Sequence, residues 1–162
     1  MNERDFCRAC EQGDTELILS AIANGTQPIN ISWGLRCACK VDKLDIVKIL
    51  VSEYAKISPN IMTFLNHGLV DACEYNRCKI AKFLLDNGAT DINRGLCIAI
   101  QNKKFNSIHL MFEYGAVADF SFYIKKATAD GDKELADKLT EEIKNREAKK
   151  TQEIMECYDK NL

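Results

Sequence analysis

The sequence predicts an all-α fold: a solenoid of about five helix-turn-helix units, joined by short turns and completed by a C-terminal capping helix. Nearly the same six letters occur three times, as GLRCAC at 34–39, GLVDAC at 68–73 and GLCIAI at 95–100. Two weaker copies fit the same frame around Ala9 and Ala127. One helix pair cannot bury both of its apolar faces by itself, so such units are expected to stack into a continuous core.

Apolar residues recur at fixed distances from one alanine in each copy, and this agreement defines the units. The anchoring alanines are Ala9, Ala38, Ala72, Ala99 and Ala127. Three positions before them stand Phe6, Leu35, Leu69, Leu96 and Ile124. Nine positions after them stand Ile18, Val47, Ala81, Ile108 and Ala136, and twelve positions after them Ala21, Leu50, Leu84, Met111 and Leu139. The sequence predicts that these columns form the core.

The first helix of each unit is predicted to end four residues after the anchoring alanine. That column reads Gly13, Asp42, Asn76, Lys103 and Gly131. Glycine, asparagine and aspartate adopt the left-handed backbone conformation that terminates a helix more readily than other residues do. Lys103 is the exception, so a weaker helix boundary is expected in the fourth unit.

The second helix of each unit carries a broad apolar stripe. Ile46, Val47, Ile49 and Leu50 follow the i, i+1, i+3, i+4 spacing of a buried helix face. The helix is predicted to end at Asn24-Gly25 in the first unit and at Asn87-Gly88 in the third, because glycine favours the position just after a helix.

The predicted unit boundaries lie near 5–30, 31–66, 67–93, 94–118 and 119–140. An irregular insertion is predicted at 55–67, where the spacing between anchoring alanines is longest, at 34 residues from Ala38 to Ala72. Pro59 bars a continuous helix through this segment. Its apolar residues are too numerous for a free loop, so we expect an extra turn packed against the stack. A partner groove or a shift in the superhelix is the alternative. The apolar residues are Ile61, Met62, Phe64 and Leu65.

Residues 141–162 are predicted to form a polar C-terminal helix or tail, because half of them are charged and the segment EEIKNREAKK favours helix. A solvated capping helix is the simplest role for the end of a stack. Ile154, Met155 and Tyr158 could instead pair with a second copy, which would make the protein a homodimer through this helix.

Composition narrows the class of partner. The chain of 162 residues has 22 basic and 24 acidic residues, for a formal net charge of −2. That balance offers no general attraction for a polyanion, so a nucleic acid is not expected as partner. No apolar run is long enough for a membrane span, and MNERDFCRACEQGD lacks the apolar core of a signal peptide. We therefore expect a cytoplasmic protein that does not bind membranes.

Two segments carry a family resemblance. DKLDIVKILVSEYA and CKIAKFLLDNGATDIN resemble the second helix and exit loop of an ankyrin repeat. The family's Thr-Pro-Leu-His start is absent, and Gly-Leu stands in its place. Ankyrin units run about 33 residues, whereas Ala72 and Ala99 are only 27 residues apart. This spacing leaves no room for the usual β-hairpin, so short turns are expected instead.

Hairpin-poor ankyrin-like units with a Gly-Leu-x-x-Ala start look like the multigene-family proteins of large cytoplasmic DNA viruses of the asfivirus type. That resemblance implies a viral protein that engages a host cytoplasmic protein and affects host range, replication or innate immune signalling. A cellular or bacterial ankyrin adaptor is the alternative.

The resemblance to ankyrin arrays implies binding through the exposed, concave side of the first helices. Six of the predicted partner-binding residues stand two or three positions after an anchoring alanine, and they are chemically unlike one another. Trp33 is added as the sole tryptophan, placed just before the second unit's helix, although it could equally cover the end of the first unit. The predicted set is Trp33, Arg36, Lys40, Val41, Glu74, Tyr75, Gln101 and Asn102.

The eight cysteines invite a metal interpretation, but packing explains them better. Cys10, Cys39 and Cys73 occupy one column, where ankyrin units use a second alanine, and a free cysteine packs as a small hydrophobe. No metal and no cofactor are therefore expected. A zinc or redox site built from Cys7, Cys10, Cys37 and Cys39 is the competing hypothesis.

No catalytic group is predicted. His67, expected in a loop, and His109, on a second helix, have no evident partner that would make either a base for a cysteine nucleophile. Phosphate-binding and metalloprotease motifs are absent from the sequence. A non-enzymatic interaction module is the function that the sequence favours.

Overall fold

A computed structural model describes residues 1–117 and 119–159, with side chains through residue 156 apart from residue 118. Within those residues the chain forms ten helices and no strand, so the predicted all-α class is confirmed. None of these helices is both long and apolar enough to cross a membrane. The helices are α1 Glu3–Gln12, α2 Thr15–Ala23, α3 Pro28–Lys40, α4 Leu44–Ile57, α5 Met62–Glu74, α6 Cys78–Asp86, α7 Ile92–Gln101, α8 Phe105–Glu113, α9 Phe120–Ala129 and α10 Lys133–Asp159.

The helices fall into two compact units, Met1–Ala116 and Val117–Leu162. In the first unit each odd-numbered helix packs on the helix that follows it, α1 on α2 and so on through α7 on α8. The odd-numbered helices also pack on one another, α1 against α3, α3 against α5 and α5 against α7. In the second unit α9 packs on α10.

Left-handed backbone ends the first helix of every pair. Gly13, Asp42, Asn76, Lys103 and Gly131 have φ of 82°, 63°, 58°, 55° and 74°. The residue after each donates its backbone N–H to the carbonyl of the anchoring alanine, as in Asp14 to Ala9 at 3.0 Å and Lys104 to Ala99 at 2.8 Å. These bonds satisfy a carbonyl that the helix leaves free. Lys103 adopts the same turn as the others, so the weaker boundary expected there is wrong.

The predicted core columns are buried. All five anchoring alanines are buried, and so are the apolar residues nine and twelve positions after them. Three positions before the anchor, Phe6, Leu35, Leu69 and Leu96 are fully buried, whereas Ile124 in the second unit is only partly buried. The repeated letters in the sequence are therefore the residues that the helices pack against one another.

Glycine in the repeated Gly-Leu pair allows neighbouring helices to approach closely. A Cβ on Gly34 would lie 2.6 Å from Phe6 Cε1 and 2.8 Å from Cys10 Sγ, both on α1. A Cβ on Gly68 would lie 2.9 Å from Leu35 Cδ2 of α3. These glycines lie inside helices and not at their starts, since α3 begins at Pro28 and α5 begins at Met62. Trp33 consequently lies within α3, which corrects its predicted place before the helix.

We expect Gly34→Ala to reduce the free energy of unfolding by about 1–3 kcal/mol, because the new methyl group would overpack two fully buried neighbours. Gly95→Ala is the matched control. Its Cβ would lie 3.0 Å from Cys73 Sγ and from Met111 Sδ, and a methionine side chain adjusts readily. The better helix propensity of alanine should offset that contact, leaving stability within about 1 kcal/mol. Urea unfolding measures both, and equal losses would contradict this account of the glycines.

Residues 55–67 extend two helices and do not form a separate turn. α4 continues through Ile57 and α5 begins at Met62, with Pro59 in the short bend between them. The rings of Tyr54 and Phe64 stack across the bend, with centroids 4.0 Å apart. Burial of Phe64 and Leu65 explains why this segment is apolar.

The C-terminal helix α10 runs without a break from Lys133 to Asp159, so it crosses the predicted boundary at residue 140. Its first part buries Leu135 and Leu139, whereas Ile154 and Met155 are exposed. The side chain of Tyr158 and residues 160–162, which belong to the predicted dimer segment, lie outside the described part of the chain, as does residue 118 of the fourth predicted unit.

Candidate functional site

The structure brings together four of the predicted partner-binding residues. Trp33, Arg36 and Lys40 lie on the exposed side of α3, and Tyr75 follows the end of the neighbouring helix α5. Val41 and Glu74 lie beside them at the two helix ends. Gln101 and Asn102 are exposed at the end of α7, where the Asn102 amide donates to the Ile98 carbonyl of its own helix.

The guanidinium group of Arg36 contacts Asp71 and the ring of Trp33. Its Nε donates to Asp71 Oδ2 at 2.6 Å and its Nη2 donates to Asp71 Oδ1 at 3.2 Å. On its other side the guanidinium carbon lies 4.8 Å from the centre of the Trp33 ring. The hydrogen bonds to Asp71 raise the pKa of Arg36 above its usual value. Arg36 therefore stays charged, and its position fixes the orientation of the tryptophan beside it.

Asp71 was not predicted from the sequence, although it anchors this site. Its side chain is only 2% exposed, against 37% for that of Arg36. The available signal was an acidic residue within the otherwise uncharged GLVDAC, facing the arginine of GLRCAC. Recognising the pair requires the relative register of α3 and α5, which the sequence alone does not give.

A second cation rests on a second aromatic ring. Lys40 Nζ lies 5.7 Å from the centre of the Tyr75 ring. The carbonyl of Lys40 accepts two hydrogen bonds from Arg77, at 3.1 Å from Nε and 3.0 Å from Nη2. Arg77 precedes α6, so this contact ties the end of α3 to the next helix pair. These hydrogen bonds fix the backbone at Lys40.

We call Trp33, Arg36, Lys40, Asp71 and Tyr75 the Trp33–Tyr75 cluster. Trp33 is 39% exposed and Tyr75 is 37% exposed, although each contacts a cation. Tryptophan, tyrosine and arginine are the residues most enriched among the energetic centres of protein interfaces. Ordered aromatic rings also lose little conformational freedom on binding. The cluster therefore has the composition that is typical of an interface centre.

The cysteines separate into two groups. Cys10, Cys39 and Cys73 are fully buried between helices. Burial raises the pKa of Cys10 and of Cys73 to about 12, and it also raises the pKa of Cys39. Cys7 and Cys37 are only partly buried, and each thiol affects the pKa of the other.

The competing zinc hypothesis gains no support from this arrangement. A structural zinc site needs four ligands that converge on one point, whereas Cys10 and Cys39 are packed among apolar side chains. Among the residues that the structure describes, no group of three or more His, Cys, Asp or Glu is placed to hold a metal ion.

The structure places both histidines on helices. His67 is on α5, which corrects its predicted place in a loop. His109 is on α8 as predicted, with Nε2 at 3.4 Å from Glu113 Oε1 on the same helix.

A comparison with protein-family models and with curated proteins finds no match to this chain. Any function of the exposed face of α3 and α5 must therefore be inferred from its own residues.

Proposed function

We propose that the protein is a non-enzymatic, ankyrin-like helical-repeat module that binds another protein through the Trp33–Tyr75 cluster. The observation that carries the proposal is the fixed presentation of an exposed tryptophan. Trp33 lies against Arg36, and Arg36 is locked by a two-point hydrogen bond to the buried Asp71. An exposed aromatic ring held in one orientation meets a main requirement of an interface centre.

The repeat character of the fold supports this proposal. Four helix pairs of the first unit share the same turn, the same buried columns and the same contacts between successive odd-numbered helices. Such arrays expose one side of their first helices as a continuous surface. At the ends of these helices Lys40 is partly exposed, and Val41, Tyr75, Gln101 and Asn102 are exposed.

We further propose that the partner is a cytoplasmic protein of a host cell, and that the module is viral and affects host range or innate immune signalling. This step depends on the resemblance of the Gly-Leu-x-x-Ala units to asfivirus-type multigene-family proteins. A cellular or bacterial adaptor would use the same surface on a partner from its own cytoplasm.

The test is a pull-down from the cytosol of candidate host cells, followed by titration of each captured protein. We expect a saturable partner whose affinity falls by more than about 30-fold on Trp33→Ala, as for an interface centre worth about 2 kcal/mol. The double change Lys40→Ala/Tyr75→Ala should also weaken binding.

The matched control is Lys82→Ala/Tyr114→Ala. It removes the same residue types from α6 and from the end of α8, away from the cluster. Affinity within about twofold of the wild type is expected for the control. If the control and the cluster variants weaken binding equally, or if Trp33→Ala binds normally, the cluster is not the interface.

A further inference from the structure

Two partly exposed thiols meet between the first two odd-numbered helices. Cys7 lies on α1 and Cys37 lies on α3, and both are free thiols. The two thiols lie close enough for each to affect the pKa of the other. Distant in sequence, they are therefore neighbours in the fold and partly accessible to solvent.

The register of the helices explains this contact. Cys7 lies two positions before the anchor Ala9, and Cys37 lies one position before the anchor Ala38. The equivalent positions of the next pair of helices are Arg36 and Asp71, whose side chains meet at 2.6 Å. Both observations place these two positions of successive helices opposite each other.

The helices also approach closely at this level. Gly34 lies one turn before Cys37, and a Cβ there would come within 2.6 Å of Phe6, the neighbour of Cys7. A disulfide requires Cα atoms about 4.4–6.8 Å apart, so the close packing of α3 on α1 that Gly34 allows favours one. By contrast, Cys10, Cys39 and Cys73 are fully buried and shielded from an oxidant in solution.

We propose that Cys7 and Cys37 form a reversible disulfide that links α1 to α3 when the protein meets a small-molecule disulfide such as oxidised glutathione. This inference goes beyond the proposed protein binding and does not depend on it. The thiol pair, and not the Trp33–Tyr75 cluster, carries it.

The exchange is balanced in two steps. The Cys7 thiolate attacks one sulfur of oxidised glutathione, the glutathione S–S bond breaks, and one glutathione leaves and takes up a proton. Cys37 then loses its proton and attacks the Cys7 sulfur of the mixed disulfide, which releases the second glutathione. Two protein thiols are thus oxidised by two electrons, and one glutathione disulfide is reduced to two thiols.

The reaction should be slow at neutral pH. Burial raises the pKa of Cys7 and raises that of Cys37 to about 12. Only the thiolate attacks. As long as the pH is below the pKa, the thiolate fraction rises about tenfold for each unit by which the pH is raised. We therefore expect the rate of disulfide formation to rise about tenfold between pH 7 and pH 8.

The experiment uses the full chain, reduced and then incubated with oxidised glutathione at both pH values. Free thiols are alkylated, and the protein is digested with trypsin without reduction. Cleavage after Arg4, Arg8, Arg36 and Lys40 separates the first four cysteines into DFCR, a long peptide with Cys10, and CACK. We expect DFCR linked to CACK, an intact mass lower by two hydrogen atoms, and reversal by excess reduced thiol.

Variants identify the two sulfurs. Cys39→Ala should keep the DFCR–CACK link, because Cys37 then supplies the only thiol of that peptide. Cys37→Ser should lose the link and retain a glutathione adduct on Cys7, whereas Cys78→Ser, which removes a partly buried thiol on α6, should behave as the wild type. The wild-type peptide map decides the question even if a variant does not fold. Stable glutathione adducts on both thiols, a link through the Cys10 peptide, or no oxidation would each overturn the proposal.

Discussion

Leu84→Ala is expected to lower the free energy of unfolding by about 2–5 kcal/mol. Leu84 is fully buried on α6. Its side chain packs against Gly68 of α5 so closely that a Cβ on Gly68 would lie 3.1 Å from Leu84 Cδ1. The shorter side chain loses the transfer free energy of three carbon atoms and leaves a cavity that the surrounding helices can only partly close. Denaturant unfolding, followed by the helical signal, measures the loss.

Cys39→Ala is the control for Leu84→Ala, because both sites are fully buried but the cysteine is a smaller residue. If Cys39 only packs, its replacement by alanine should be mild, whereas Cys39→Leu should overpack the helices and cost about 1–3 kcal/mol. A loss from Cys39→Ala as large as that from Leu84→Ala would mean that the sulfur has a task other than packing. The cysteine-based hypothesis would then become the stronger one.

Much of the helical framework could be predicted because it depends on residues that are close in sequence. The anchoring alanine, the left-handed residue four positions later and the apolar stripe of the second helix all depend on residues within one unit. Lys103 shows the limit of that approach. Its propensity argues against a left-handed turn, but the hydrogen bond from Lys104 to Ala99 and the packing of α7 on α8 maintain it.

What could not be predicted depends on neighbouring units. α3 begins at Pro28 and not near Gly34, because proline is well suited to the first position of a helix and Ile31 is buried. Because Gly34 has no side chain, Phe6 and Cys10 of α1 can pack directly against it. No pattern within the unit of Gly34 indicates this contact. The predicted binding residues were likewise identified as single surface positions, whereas Arg36 owes its role to Asp71 on another helix.

Arg36→Met is expected to lower the free energy of unfolding by about 3 kcal/mol. That value is the lower end of the range for breaking a buried ion pair, since Arg36 itself keeps some contact with water. The cause is the carboxylate left behind, because Asp71 is almost completely buried and would lose the charged donor that satisfies both of its oxygens.

Asp71→Leu should cost less than Arg36→Met, because the guanidinium that it leaves behind can turn towards water. The double variant Arg36→Met/Asp71→Leu should recover most of the stability, since an apolar pair of similar size leaves no buried charge unpaired. Lys138→Met is the matched control. It breaks an exposed i, i+4 pair with Glu134 at 2.8 Å and should change stability by no more than about 0.5 kcal/mol.

The same double variant separates the stability of the fold from recognition by its exposed face. With stability restored but the guanidinium removed, Trp33 loses the cation that orients it. We therefore expect the variant to unfold like the wild type in denaturant, yet to bind the protein partner more weakly. A double variant as unstable as Arg36→Met would show that the unpaired carboxylate is not the cause of the loss. A stable double variant with unchanged affinity would mean that the ion pair serves packing alone and that Trp33 needs no support from Arg36.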